Sequence, residues 1–336
     1  MSQPKRKFHV GLIRLLLLGI FTLLVVACRP QVAAILPTAI PTLTSVPRST
    51  PLPALPTSVP VGKKDNPIRL IVHPVSKIDS TKSIVTDLET AIEKKTGLVV
   101  KIEVVDSDAA ALATLCSSNV DQPALAWLSS MGFIAASAKK CGQPQLLVSR
   151  GTGSKATTGE ISTVIARRGI DSLSNLKGRT FCRIGNTDLI SWFIPSLMMR
   201  ANGINSEADP KVIKDYAENS DLVAAVASSQ CDAAAIPDSL VKSLVTDDKT
   251  VSPKVSTLVS SVEFPYSILV ASSDIPLVAI TALNDELISL SKDRQLKSNL
   301  SQLLDQTTLV PVKPEDLQPL LDFGATTGQN FAQLGN

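Results

Sequence analysis

"SIVTDLETAIEKKTGLVVKIEVVDSDAAALATLCSSNVDQPALAWL", residues 83–128, decides the fold. Its opening places Ile84, Leu88 and Ile92 on one helical face, and Gly97 follows as a stop signal. "LVVKIEVVD" is short and rich in β-branched residues, so it reads as a strand. "SDAAALATLCSS" returns to helix, and "ALAWL" is a short apolar strand of the kind covered on both faces. Upstream, "IRLIVHPV" (68–75) is a strand ending at Pro74; downstream, "MGFIAASAKKCG" is helical again. Strands alternating with helices predict βαβ units around a parallel sheet.

Part of the pattern recurs later in the chain. "ALATLCSSNVD" ends at Asp121 and "LVAAVASSQCD" ends at Asp232, each just ahead of an apolar strand. The echo sets Ser129 and Ser130 against Asp238 and Ser239, and it implies two similar lobes. The chain is expected to cross between them at "EISTVIARRG" (160–169), after the Gly- and Thr-rich approach "SRGTGSKATTGE". It is expected to return through "SVEFPYSILVASSDIP" (261–276), and the segment from Leu277 onward should be mostly helical and pack on lobe one. The expected fold is therefore an α/β, two-lobed clam with a mixed, mainly parallel sheet in each lobe and two hinge crossovers. The expected segments are 67–159 for the first part of lobe one, 160–267 for lobe two with its hinge strands, and 268–336 for the return and C-terminal helices.

The N-terminus predicts an address. Lys5, Arg6 and Lys7 precede an apolar run from Leu12 to Val26, interrupted by Arg14 and closed by "VVAC". A charged start, a short apolar run and a small-residue cleavage site make a secretory signal, here 1–27. The Val-Ala-Cys ending resembles a bacterial lipobox, which implies a lipid on Cys28. From Arg29 to Asn66 the chain carries eight prolines and no aromatic residue, a composition that favours a semi-rigid extended spacer. It can hold a domain as much as ~100 Å from a membrane, at ~3.1 Å per residue. The expected location is extracytoplasmic, on the outer face of the cytoplasmic membrane.

Four of the 33 basic residues lie in the signal, so the processed chain carries 29 against 30 acidic ones. Near-neutral charge without a basic–aromatic patch argues against a nucleic-acid partner. Of five cysteines, Cys28 belongs to the anchor; Cys116, Cys141, Cys182 and Cys231 suit two disulfides, with three possible connectivities. Pairing Cys116 with Cys141 and Cys182 with Cys231 keeps each bridge within one lobe. His73 is the one histidine left after processing, so neither a metal site nor a Ser-His or Cys-His catalytic pair beyond His73 itself is marked. No cofactor, no metal and no enzymatic activity are expected.

In open α/β sheets ligands sit beyond the carboxyl ends of strands. The loops after His73, Asp106, Trp127, Ile184 and Ile236 are thus the expected cleft. Lobe one offers His73, Ser76, Asp108, Trp127, Ser129 and Ser130; lobe two offers Thr187, Asp188, Ser191, Trp192, Asp238 and Ser239; the return strand offers Tyr266. The two tryptophans fall at strand-to-helix junctions of opposite lobes, which suits an aromatic site for a cationic or zwitterionic solute. Pro195 suits a helix's first turn, so a helix is expected to start near Ser191, with Asp188 at its positive end.

"DLETAIEKKTGLVVKIEVVDSDAAALATL", "ALAWLSSMGFIAA", "LSNLKGRTFCRIG", "WFIPSLMMRANGI" and "CDAAAIPDS" together resemble the phosphate/phosphite/phosphonate substrate-binding family of ABC importers. The resemblance covers most of 67–322. It implies a periplasmic-binding-protein-like lipoprotein of two α/β lobes that takes a small-molecule solute to the transmembrane subunit of an ABC permease, as a monomer. In that family a Ser-Thr-Ser-like loop grips the phosphonate. The matching positions here are Asp188, Leu189 and Ile190, and two tyrosine positions match Ala109 and Phe133. A carboxylate repels a phosphonate, so the residues argue against an anionic ligand. The alternative is a ligand-sensing or degenerate, non-transporting surface lipoprotein of the same fold.

Overall fold

The computed structural model describes residues 59–74, 81–306 and 308–333. The expected signal, Cys28, most of the tether and Ser76 lie outside them. Lobe one opens with β1 (Ile68–Val72), α1 (Thr81–Thr96), β2 (Val100–Val104), α2 (Asp108–Cys116), β3 (Ala124–Leu128), α3 (Ser130–Lys139) and β4 (Gln143–Ser149). The chain crosses through β5 (Gly159–Glu160). Lobe two follows as β6 (Ser162–Arg167), β7 (Thr180–Arg183), α4 (Ile194–Ala201), β8 (Val212–Asp215), α5 (Asn219–Ala227), β9 (Ala233–Pro237), α6 (Asp238–Val241) and β10 (Val255–Ser260). β11 (Phe264–Pro265) leads back to β12 (Ile268–Ala271), α7 (Leu277–Lys292), α8 (Lys297–Leu304), β13 (Thr308–Pro311) and α9 (Gln318–Thr326).

Two sheets result. The first has the order β13-β4-β12-β3-β1-β2, the second β10-β6-β9-β7-β8. In each, three neighbouring strands are parallel (β2, β1 and β3; β8, β7 and β9) and the next is antiparallel (β12 or β6). That antiparallel strand is the one each lobe receives just after a crossover. The lobes thus share one topology, as the internal echo implied.

Local sequence explains the elements. Ile84, Leu88 and Ile92 form the buried face of α1, and Gly97 ends it with φ +70°. β3 is buried at every position because both faces are covered. The crossovers lie side by side, with Phe264 opposite Glu160 and Pro265 opposite Gly159. A side chain at Gly159 would meet the Phe264 carbonyl, so only glycine allows this approach. The disulfides are Cys116–Cys141 and Cys182–Cys231.

Two expectations need correction. The return through 261–276 is two short strands, because Pro265 lacks an N–H and ends β11. The C-terminal segment is mostly helical, as expected, and adds one strand: "TLVP" is β13, paired antiparallel with β4. The helix expected from Ser191 opens instead as a π-turn over Leu189–Phe193, before α4. Pro195 has no N–H for an ordinary helical bond and its ring crowds the preceding turn, which the wider turn relieves.

Candidate functional site

The carboxyl ends of β1, β2 and β3 in one lobe, and of β7, β8 and β9 in the other, carry the candidate loops. In lobe one the polar groups turn on each other. Ser107 caps α2, its Oγ accepting the Ala110 N–H at 3.1 Å. The Asp108 carboxylate reaches the next junction: Oδ1 accepts the Ser129 N–H at 2.9 Å, and Oδ2 accepts the Ser129 hydroxyl at 2.8 Å. Ser129 Oγ in turn accepts the Gly132 N–H at 3.1 Å, capping α3. The carboxylate lies so close to Gly132 that a Cβ there would collide with it. Ser130 is buried and donates to the Pro265 carbonyl at 2.6 Å, fastening the junction to the hinge. His73 is exposed, with Nδ1 3.1 Å from the Val105 carbonyl, so it joins the loops after β1 and β2.

In lobe two Asp188 is the N-cap of the π-turn, and its Oδ1 accepts the Ser191 N–H at 2.6 Å. Ser191 is fully buried and its Oγ accepts the Ile184 N–H at 2.9 Å. Thr187 is exposed beside them. A helix start attracts anions through such N–H groups; here the chain's own carboxylate already takes one.

The tryptophans do not form a shared site. Trp127 is 3% exposed and packs in the lobe-one core with Leu70, Val72, Leu88 and Ile92. It lies within β3, whose alternation turns it to the face covered by α1 and α7. Trp192 is 7% exposed, tilted against Phe181 at 5.8 Å, with the Arg183 guanidinium 4.6 Å over its ring. Burial on the sheet side of the turn accounts for it, and the expected aromatic cleft is corrected accordingly.

A cavity of about 390 Å³ opens at the hinge, lined by residues 156–161 with Asp238, Ser239 and Glu263. Its lining has three carboxylates and no basic side chain. Each carboxylate is held by a hydroxyl: Thr163 donates to Asp238 at 2.7 Å, Thr158 to Glu263 at 2.6 Å, and Tyr266 to Glu160 at 2.9 Å. Thr157 Oγ1 lies 2.9 Å from the Tyr266 hydroxyl, and Arg150 sits 4.0 Å over the ring. Burial pushes the Tyr266 phenol up, against the opposing hydrogen bond with Thr157. Among the described residues no group of three His, Cys, Asp or Glu side chains is placed to hold a metal ion.

Asp238, Ser239 and Tyr266 thus meet at the hinge, and Asp108 meets Ser129 in lobe one. Thr157, Thr158, Glu160 and Glu263 escaped the sequence reading. For the first three the signal was "ATTGE", read as a flexible approach; in fact its Thr158 holds Glu263 and its Thr157 meets the Tyr266 hydroxyl.

Two like lobes joined by a double-stranded hinge define a periplasmic-binding-protein-like clam. The chain belongs to the family described as "ABC transporter, phosphonate, periplasmic substrate-binding protein", matched over residues 70–317. Among solved structures, XAC2383 from Xanthomonas citri bound to chloride ion aligns with a TM-score of 0.51 at 14% identity, over 77% of this chain and 97% of that one. A binding protein component of an ABC phosphonate transporter from Pseudomonas aeruginosa aligns at 0.45 and 16%, over 78% and 87%. PhnD1 from Prochlorococcus marinus in complex with methylphosphonate aligns at 0.43 and 14%, over 77% and 97%. No curated protein matches by sequence. The family is one of transport binding proteins, and no helix among the described residues is long and apolar enough to cross a membrane.

Proposed function

We propose that this chain is the lipid-anchored, extracytoplasmic solute receptor of an ABC importer, and that its cleft takes a cationic or zwitterionic solute in place of a phosphonate. Segments 67–159 and 268–336 act as one half of the clam, 160–267 as the other, closing about the 159–160 and 264–265 ribbon. The observation that carries the ligand class is the Asp188 carboxylate on the Ser191 N–H, at the helix start where the family's hydroxyl loop holds its anion. A phosphonate there would meet a like charge within a few ångströms. The hinge cavity, lined by Glu160, Asp238 and Glu263, supports the same sign of ligand. With both tryptophans in cores, recognition rests on these carboxylates and hydroxyls.

The test is a thermal-shift screen of residues 56–336, which hold every described element and both disulfides. The panel is phosphate, phosphite, alkylphosphonates, amino acids, polyamines and quaternary ammonium compounds. A ligand at ~100 times its Kd stabilises the fold by ~2.7 kcal/mol. A shift with amines or zwitterions is expected; a shift with phosphonates alone sinks the ligand class and leaves Asp188 a helix cap. Silence across the panel favours the sensing or degenerate reading. For the anchor, Cys28→Ala should abolish incorporation of labelled fatty acid into the protein.

A further inference from the structure

The lobe-one sheet has a second end, opposite the cleft, where β1, β2, β3 and β4 begin and β12 finishes. Three lysine pairs reach this end from different parts of the chain. Lys63 and Lys64 lie in the turn before β1, closed by the Gly62 N–H donating to the Asn66 carbonyl at 2.8 Å. Lys94 and Lys95 close α1, just before β2; Lys139 and Lys140 close α3, just before β4. Five strands lie side by side from β4 to β2, so the pairs spread over roughly 20 Å at ~4.8 Å per strand. Asp65, Glu93, Asp121 and Asp274 share this end and Glu286 of α7 faces Lys95, so six lysines stand against five carboxyl groups.

In the middle of the same edge stands an apolar pair. After β12 the chain turns, the Ser272 N–H donating to the Ala124 carbonyl at 3.1 Å, and starts α7 with Leu277 and Val278. They are 77% and 78% exposed, the most exposed large apolar side chains among the described residues. Val120, before β3, and Val59 are exposed nearby, and the Asn66 amide donates to both of their carbonyls at 3.0 and 3.1 Å. Val59 is also where the described chain begins, so the spacer from Cys28 arrives at this end.

From this juxtaposition we infer that the distal end of lobe one is a membrane-contact surface, with Leu277 and Val278 entering the headgroup region of an anionic bilayer and the lysine pairs flanking them. Apolar side chains with lysines along the same sheet end match an anionic interface in both hydrophobicity and charge. The Cys28 anchor serves only to bring the surface to the bilayer, and the spacer is long enough to allow it. Resting on this end turns the cleft away from the membrane, so the contact would hold the receptor off the permease until it releases.

The test uses the chain from residue 28 with Cys28→Ser, so that no lipid contributes. Flotation is measured with phosphatidylcholine vesicles, alone and with about 30 mol% phosphatidylglycerol. Binding is expected to the anionic vesicles only, and to be lost as salt rises from about 0.05 to 0.5 M. The double change Leu277→Ser and Val278→Ser, and separately Lys63→Glu with Lys64→Glu, should each weaken it about tenfold without altering the melting temperature. No binding to anionic vesicles overturns the inference, as does binding that both variants retain. A wild-type dimer that the Leu277/Val278 variant abolishes would assign the surface to a second copy and overturn it too.

Discussion

Equivalent junctions of the two lobes use the same kinds of residue to opposite ends. After β3, Ser129 caps α3, and Asp108 clamps Ser129 through both carboxylate oxygens. After β9, the N-cap position of α6 is Pro237, without a side-chain cap, and the helix lasts four residues before a π-turn over Lys242–Thr246. Asp238 is held by Thr163 from the neighbouring strand and stays exposed beside the hinge cavity. Lobe one's junction groups satisfy one another. Those of lobe two leave carboxylate oxygen open to solvent, which is what a ligand needs. The same fold thus gives a self-satisfied scaffold on one side and, on the function proposed above, a recognition surface on the other.

The disulfides offer the largest test. Cys182–Cys231 closes a separation of 49 residues in lobe two, and Cys116–Cys141 one of 25 in lobe one. Chain-entropy reasoning gives losses of about 4 and about 3.5 kcal/mol when each is replaced by alanines. Calorimetry of the two double variants should therefore find lobe two's bridge the costlier. The reverse order would mean that lobe one depends on more than its internal polar clamp.

The clamp comes next. Asp108→Ala leaves the Ser129 N–H and hydroxyl without their acceptor and should cost about 2 kcal/mol. Asp238→Ala, at an exposed position, should stay within about 0.5 kcal/mol while changing ligand response. Denaturant melts of both measure the difference in stability, and the thermal-shift screen reads the ligand response. Equal losses would break the comparison.

Much of this architecture is legible in the chain, for physical reasons. Ile84, Leu88 and Ile92 announce α1 because a buried helical face needs that spacing. The Ser-Ser-x-x-Asp echo marks the ends of α2 and α5 because each helix feeds the strand two places along the same topology. Site chemistry was harder to read. Trp127 and Trp192 occupy junctions in sequence, but strand alternation and the π-turn decide which way a ring points, and both rings point inward. The hinge carboxylates come from segments about a hundred residues apart, as with Thr158 and Glu263, so no local pattern announces them.

Asp188 tests the recognition side at about 1 kcal/mol. Its alanine variant loses an N-cap and should melt lower by that amount. Asp188→Ser keeps a cap and removes the charge, so stability should largely return. The same variant should gain response to methylphosphonate in the thermal-shift screen, because the helix-start N–H groups no longer face a fixed negative charge. Unchanged anion response in the serine variant would show that the ligand does not approach this turn.

The smallest effect belongs to lobe one and probes how completely its polar groups are satisfied. Glu286 of α7 is 8% exposed, and its carboxyl is raised above its ordinary value, chiefly by burial. Lys95 opposes that shift and Asp293 adds to it. A carboxyl raised in the folded state favours folding most when protonated. Its contribution is therefore fully present below about pH 4.5 and is lost as pH rises through the higher folded value. Glu286→Gln removes this titration. Its melting curve should meet that of the wild type in acid and lie above it at neutral pH, by less than about 1 kcal/mol given the partial screening. If the variant were instead less stable at neutral pH, the attraction to Lys95 would outweigh burial, and even this lobe-one carboxylate would be a satisfied part of the scaffold.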